Sequence, residues 1–173
     1  MIADTPKKLT SKKEAITLAE KYRCAHRYTP LVLPVPTSKN NLRWHGRYRS
    51  GHTSDYSNFR QEVRHRFALW KKQNPTFEPF HGNRRLLVLT FDYQLVTEDA
   101  THDLANFSQA LLDSLSGGKD KGRIVPPLAW YDDRPINLHL QIPDNLDDMI
   151  DPINPHCKLF LNPTKISVCS LKK

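Results

Sequence analysis

Cysteine is scarce in this chain: there are three, at positions 24, 157 and 169, odd in number and with no close pair. A disulfide framework and a zinc ribbon are therefore excluded, and a reducing interior is the expected setting. No apolar run approaches the length of a membrane span. The opening residues Met1-Ile2-Ala3-Asp4-Thr5-Pro6-Lys7-Lys8 lack the apolar core of a secretory signal, so a cytoplasmic protein without a membrane partner is expected. The eight histidines show neither HxxxH nor HxH spacing, which argues against zinc. Asp144, Asp147, Asp148 and Asp151 are not spaced as an EF-hand, so a solvated acidic loop is the expectation there. No internal repeat is apparent.

What is present fits one folded domain. A length of 173 residues can bury a core, and an apolar fraction of 38% with 25% charged residues belongs to a globular rather than a disordered chain. The net charge of +8 hides a split. Residues 1–85 carry 18 Lys/Arg against 6 Asp/Glu, giving +12, and residues 86–173 carry 8 against 12, giving −4. A basic half that gathers phosphates beside an acidic half that holds a cation is what metal-assisted cleavage of a polyanion requires. The plainer reading is a solvated basic surface.

Periodicity sets the expected elements. Residues 11–23 read as a helix, with Ala15, Leu18, Ala19 and Tyr22 on one face and Ser11 as cap. Residues 28–35 read as a short strand, confined to a sheet edge by Pro34 and Pro36. A basic loop at 36–54 leads to a helix at 55–73, which presents Tyr56, Phe59, Val63, Phe67 and Trp70 on one face and Arg60, Arg64, Arg66 and Lys71 on the other. The strongest strand is 85–96. A helix starting near Leu104 carries the stripe Leu104, Phe107, Leu111, Leu112 and Leu115, and residues 119–127 are expected to form a mobile loop. Residues 136–142 alternate as a half-buried strand, and short strands are expected at 158–161 and 165–171. The sum is a single α+β domain, a small mixed or antiparallel sheet packed with two or three helices.

Two acidic motifs carry the candidate chemistry. Phosphodiester hydrolysis by a metal needs two or three carboxylates converging on the ion. In an extended segment positions 103 and 105 point to one side. Asp103 fills the first, while Ala105 cannot ligate anything. Asp132 and Asp133 stand just before a strand, where a carboxylate can reach the same ion. The plainer readings are a helix cap for Asp103 and a turn ahead of Arg134-Pro135 for the pair. Lys39, Arg43, Arg47, Arg49 and Arg60 are candidates for phosphate contacts. Trp44 and Tyr48 either stack on opened bases or, in the case of Trp44, anchor the core.

Taken in order, these motifs resemble the RusA family of Holliday junction resolvases, endodeoxyribonucleases of bacteria and their prophages. The resemblance spans residues 29–142, after an N-terminal helical extension at 1–28 and before an acidic loop with short strands at 143–173. It begins with Leu33-Pro34-Val35-Pro36-Thr37-Ser38-Lys39-Asn40-Asn41 and the basic stretch 43–49. Ser54-Asp55-Tyr56 follows at the start of a helix, and then Asp103-Leu104-Ala105-Asn106, Asp113-Ser114-Leu115 and Trp130-Tyr131-Asp132-Asp133. It implies a RusA-like fold, a homodimer, Mg²⁺ (with Mn²⁺ as a substitute), and paired symmetric nicks in a four-way DNA junction during recombination and repair, in a bacterial or phage-infected cell at its nucleoid. It assigns Asp103 and Asp133 as metal-binding catalytic residues with Asp132 beside them, Asn41 to the DNA-binding loop, and Asn106 to a supporting role. Two positions depart from the family pattern. Ala105 stands where the second motif aspartate belongs, and Gln109 where a lysine does. A binding-only relative, a substitution that traps substrate, and replacement of the lost group by Glu98, Asp99 or His102 are all open on sequence grounds. Lys119, Lys121 or Arg123 is an alternative source of the missing cation.

Overall fold

In the computed structural model, residues 8–36, 54–98, 107–120 and 122–169 are described, together with two short backbone pairs at 44–45 and 48–49. Helix α1 (Lys12–Arg23) starts behind the expected Ser11 cap, which forms a capping box with Glu14. The Ser11 hydroxyl accepts from the Glu14 amide, and the Glu14 carboxylate accepts from the Ser11 amide, each at 3.3 Å. Its small residues Ala15 and Ala19 are buried. The Tyr22 hydroxyl fastens the other end, donating to the His81 carbonyl at 2.9 Å and accepting from the His81 amide at 3.0 Å.

Strand β1 (Leu31–Leu33) is shorter than the expected strand and lies at a sheet edge, as its flanking prolines require. Within the basic stretch, β2 (Trp44–His45) and β3 (Tyr48–Arg49) pair antiparallel, so part of the expected loop is a hairpin. Helix α2 (Ser54–Gln73) buries Tyr56, Phe59, Val63, Phe67 and Trp70, the stripe expected from the sequence. Strand β4 (Leu87–Val96) alternates buried and half-buried along its whole length. Helix α3 (Ser108–Leu115) follows; the expected start at Leu104 lies outside the described residues.

Residues 119–127 are not a structureless loop. Strands β5 (Gly118–Asp120) and β6 (Arg123–Val125) pair as a hairpin, because a two-residue Lys-Gly connection suits such a turn. Gly122 has φ +79, a conformation that favours glycine. Strand β7 (Ile136–Leu140) then lies parallel to β4. A 3-10 turn at Leu146–Met149 follows, and its neighbour Ile150 bridges Thr97 just past the end of β4. Strands β8 (His156–Leu159) and β9 (Lys165–Val168) complete the sheet.

The sheet runs β1-β8-β4-β7, with β9 also on β4. β8 pairs with residues 93–96 of β4 and β9 with residues 87–90, both antiparallel. The last two strands therefore follow β4 in succession, like one strand broken at residues 160–164. The break is stitched by Phe160 N–H to the Asp92 carbonyl (3.0 Å) and Thr164 N–H to the Thr90 carbonyl (2.8 Å). The residues after 142 thus supply an inner strand, and β1 has no place in the sheet without β8.

Register gives the sheet two unlike faces. Leu31, Leu33, Leu89, Phe91, Tyr93, Leu95, Ile136, Cys157 and Leu159 point to one side and are buried under the helices. The opposite face carries Thr90, Asp92, Gln94, Asn137, His139 and Lys158. Between helices and sheet, Phe77 meets Trp70, Tyr28 and Phe80 edge to face with centroids 4.9, 5.1 and 5.4 Å away. The described residues form an α+β domain with a mixed sheet and three α-helices, in agreement with the class expected from the sequence.

Candidate functional site

The chain runs from β4 through the acidic motif into α3, then through the β5–β6 hairpin to Trp130 and into β7, parallel to β4. The two acidic motifs thus bracket one β–α–β crossover. Its helix is pinned at both ends. At the start, the Tyr93 and Ser108 hydroxyls are 2.6 Å apart. At the finish, the buried Trp130 indole donates to the Leu112 carbonyl at 3.0 Å, and Gly117 N–H donates to the Trp130 carbonyl at 3.1 Å. On its other side the Trp130 segment is held by Phe80, whose amide donates to Ala129 at 2.7 Å and whose carbonyl accepts from Tyr131 at 3.0 Å. The tryptophan is an anchor that fixes where the two aspartates after it emerge.

Asp132 and Asp133 differ in what surrounds them. Both oxygens of Asp132 are taken by Arg134: the guanidinium reaches them at 2.6 and 3.0 Å, and the Arg134 backbone amide adds a bond at 3.0 Å. These bonds hold the Asp132 carboxyl below its ordinary range. A carboxylate engaged on both oxygens is poorly placed to assist a metal, so the turn expected as the plainer reading of this pair is its main structural role. The half-buried Asp133 closes the same turn, its carbonyl accepting from the Ile136 amide at 2.9 Å. Among the described residues, no group of three or more His, Cys, Asp or Glu side chains is arranged to hold an ion. The described carboxylates alone do not fit a magnesium site.

The register adds a spatial fact. Ile136, three residues after Asp133, lies opposite Leu89, whereas the Tyr93 that holds the start of α3 lies opposite Leu140. Four residues of strand separate these levels, about 13 Å. Asp103, Ala105 and Asn106 lie outside the described residues, as do Asp99, His102, Lys121, Lys39, Asn41, Arg43 and Arg47. Arg49 is placed only by its backbone, on β3 opposite Trp44.

Gln109 points along its own helix: its amide donates to the Asp113 carboxylate at 2.8 Å. The other Asp113 oxygen faces the Tyr56 hydroxyl of α2 at 3.5 Å. Burial, reinforced by the Asp113 charge, pushes the Tyr56 phenol up to about 12. The Arg60 guanidinium lies 5.9 Å from the Tyr56 ring centroid. The basic helix and the helix of the acidic motif are therefore joined by a polar contact. Of the other cations expected to face phosphate, Arg64 is exposed. Arg66 instead pairs with Glu62 at 2.7 Å, and Lys71 turns back to the carbonyls of Pro75 and Phe77.

A second polar cluster, on the opposite face of the sheet, was not anticipated from the sequence. His139 Nδ1 and the Thr164 hydroxyl lie 3.2 and 3.3 Å from one Asp92 oxygen, and Gln141 Nε2 is 3.2 Å from the same Nδ1. One ring nitrogen cannot both donate and accept, and the carboxylate favours Nδ1–H toward Asp92. Asp92 also borders a cleft of about 600 Å³ lined by Arg23, Arg27, Asn162 and Thr164. The available signal was a single charged residue in the ten-residue strand β4. Its partners come from register, which the sequence does not display.

No helix among the described residues is long and apolar enough to cross a membrane. No protein-family model matches the chain, and no curated protein does.

Proposed function

We propose that this chain binds branched DNA, four-way junctions above all, and nicks it as an endonuclease of the RusA type, in the cytoplasm and at the nucleoid. The observation that supports this most is the Tyr56–Asp113 contact, because it sets the basic helix α2 beside the helix that follows the first acidic motif. Phosphate-gathering cations and the cleaving carboxylates have to be neighbours for such chemistry. Asp103 and Asp133 are the residues assigned to the cut, with Mg²⁺ or Mn²⁺ as the ion. A two-fold substrate cut symmetrically calls for a homodimer, each subunit acting on one strand.

A second reading, junction binding without cleavage, is favoured by three observations. Ala105 supplies no ligand, Asp132 is engaged by Arg134, and Gln109 is neutral and bound to Asp113. The deciding experiment incubates a labelled four-way junction with Mg²⁺ and the chain, Asp103→Asn or Ala105→Asp. Cleavage by the unaltered chain that disappears in Asp103→Asn supports the endonuclease. Tight binding without cleavage, with cutting gained in Ala105→Asp, selects the second reading. No preference for branched over duplex DNA in any variant rejects both.

A further inference from the structure

The β5–β6 hairpin stands apart from the domain. A side chain built at Gly118 or Gly122 would meet nothing within 4 Å, whereas one at Gly117, at the base, would press against Pro127 at 3.1 Å. The base is rigid: Leu128 and Ala129 donate to the Leu115 carbonyl at 3.2 and 3.0 Å, and Gly117 is bonded to Trp130. A stiff root thus carries a free arm, three residues per strand, which reaches out about 10 Å.

The composition of this arm is unusual for a solvated turn. Ile124 is 82% exposed, yet it sits in a segment whose sequence carries Lys119, Lys121 and Arg123 against Asp120. Lys119 is the residue directly across the ladder from Ile124. An isolated two-stranded hairpin is marginal in water, and an apolar side chain left in solvent gives it no support. An exposed apolar residue in a segment whose sequence carries three cations matches a stacked, negatively charged partner: basic groups neutralise phosphates while the apolar side chain enters between bases. A two-stranded ribbon is also narrow enough for a DNA groove.

We infer that the β5–β6 hairpin is a DNA-contacting arm, with Ile124 as a wedge that separates stacked bases at the branch point and Arg123 as a phosphate contact. This rests on the branched-DNA reading and gives it a specificity element: bases at a branch are already poorly stacked, so wedging there costs less than in a continuous duplex. The arm leaves the fold between α3 and Asp132–Asp133, a few residues before Asp133, one of the two carboxylates proposed for the cut.

The test uses a four-way junction with 2-aminopurine at the branch, whose fluorescence rises on unstacking, together with a matched duplex. The whole chain is compared with Ile124→Ala and Arg123→Gln, both at exposed positions where the fold is not at stake. At saturation the unaltered chain raises the fluorescence and Ile124→Ala does not, with junction affinity about tenfold weaker and duplex affinity unchanged. Arg123→Gln weakens junction and duplex alike and lowers the salt slope by about one. An equal fluorescence rise with Ile124→Ala overturns the inference and leaves the branched-DNA reading standing. Absence of junction binding by the unaltered chain overturns both.

Discussion

Removing the guanidinium at position 134 frees both oxygens of the Asp132 carboxylate. Arg134→Ala is expected to return the Asp132 titration to the ordinary aspartate range, measured by carboxyl NMR, because the Arg134 bonds are the main cause of its depression. With the folded value lowered, the pair favours the folded state above the unfolded carboxylate range and loses that effect as pH falls through the folded value. Tyr22 and Tyr56 have the opposite sign. Burial pushes both phenols up to about 12, so their neutral forms favour folding below the ordinary value of 10.0, and that contribution disappears as pH rises from there toward 12. Tyrosinate absorbance should show late titration at these positions, and Tyr22→Phe and Tyr56→Phe should each remove one late step. The apolar residues of α2 were legible because a 3.6-residue period states which side chains face inward. The Asp132–Arg134 bond was not, since nothing in an Asp-Asp pair tells whether its charge is spent locally or kept for a ligand.

Elements were readable where local chemistry defines them. Ser11 as a cap set the start of α1, richness in Leu, Val, Phe and Tyr set β4, and alternation set β7. The β5–β6 hairpin was missed because its polar composition resembles a loop, although Gly122 in a two-residue connection was a turn signal. The position of β8 was less accessible still. Four residues after a proline-rich stretch give no hint that they separate β1 from β4, because that pairing spans most of the chain. Its weight is testable. A chain ending at Ile142 lacks β8 and β9, leaving β1 unpaired and one edge of β4 bare. Such a chain is expected to show no cooperative unfolding transition by circular dichroism, whereas a merely appended tail would leave the transition in place.

At the scale of the molecule, the charge split along the sequence is not a split into two lobes. β1, from the basic half, lies against β8 from the acidic half, and α1 lies against β9. DNA binding should still be governed by the net +8. For about six phosphate contacts, affinity falls by about 10³ between 50 and 200 mM salt. A flat salt dependence in a titration of labelled junction would deny the basic half its assigned role. The same β1–β8 pairing has a consequence during synthesis. Leu31 leaves the ribosome early, but its sheet partner Leu159 is made more than 120 residues later, on the order of 10 s at ordinary elongation rates. Through that interval Leu31 and Leu33 have no sheet partner to bury them, and the nascent chain depends on α2, which packs on β1, to shield its first strand.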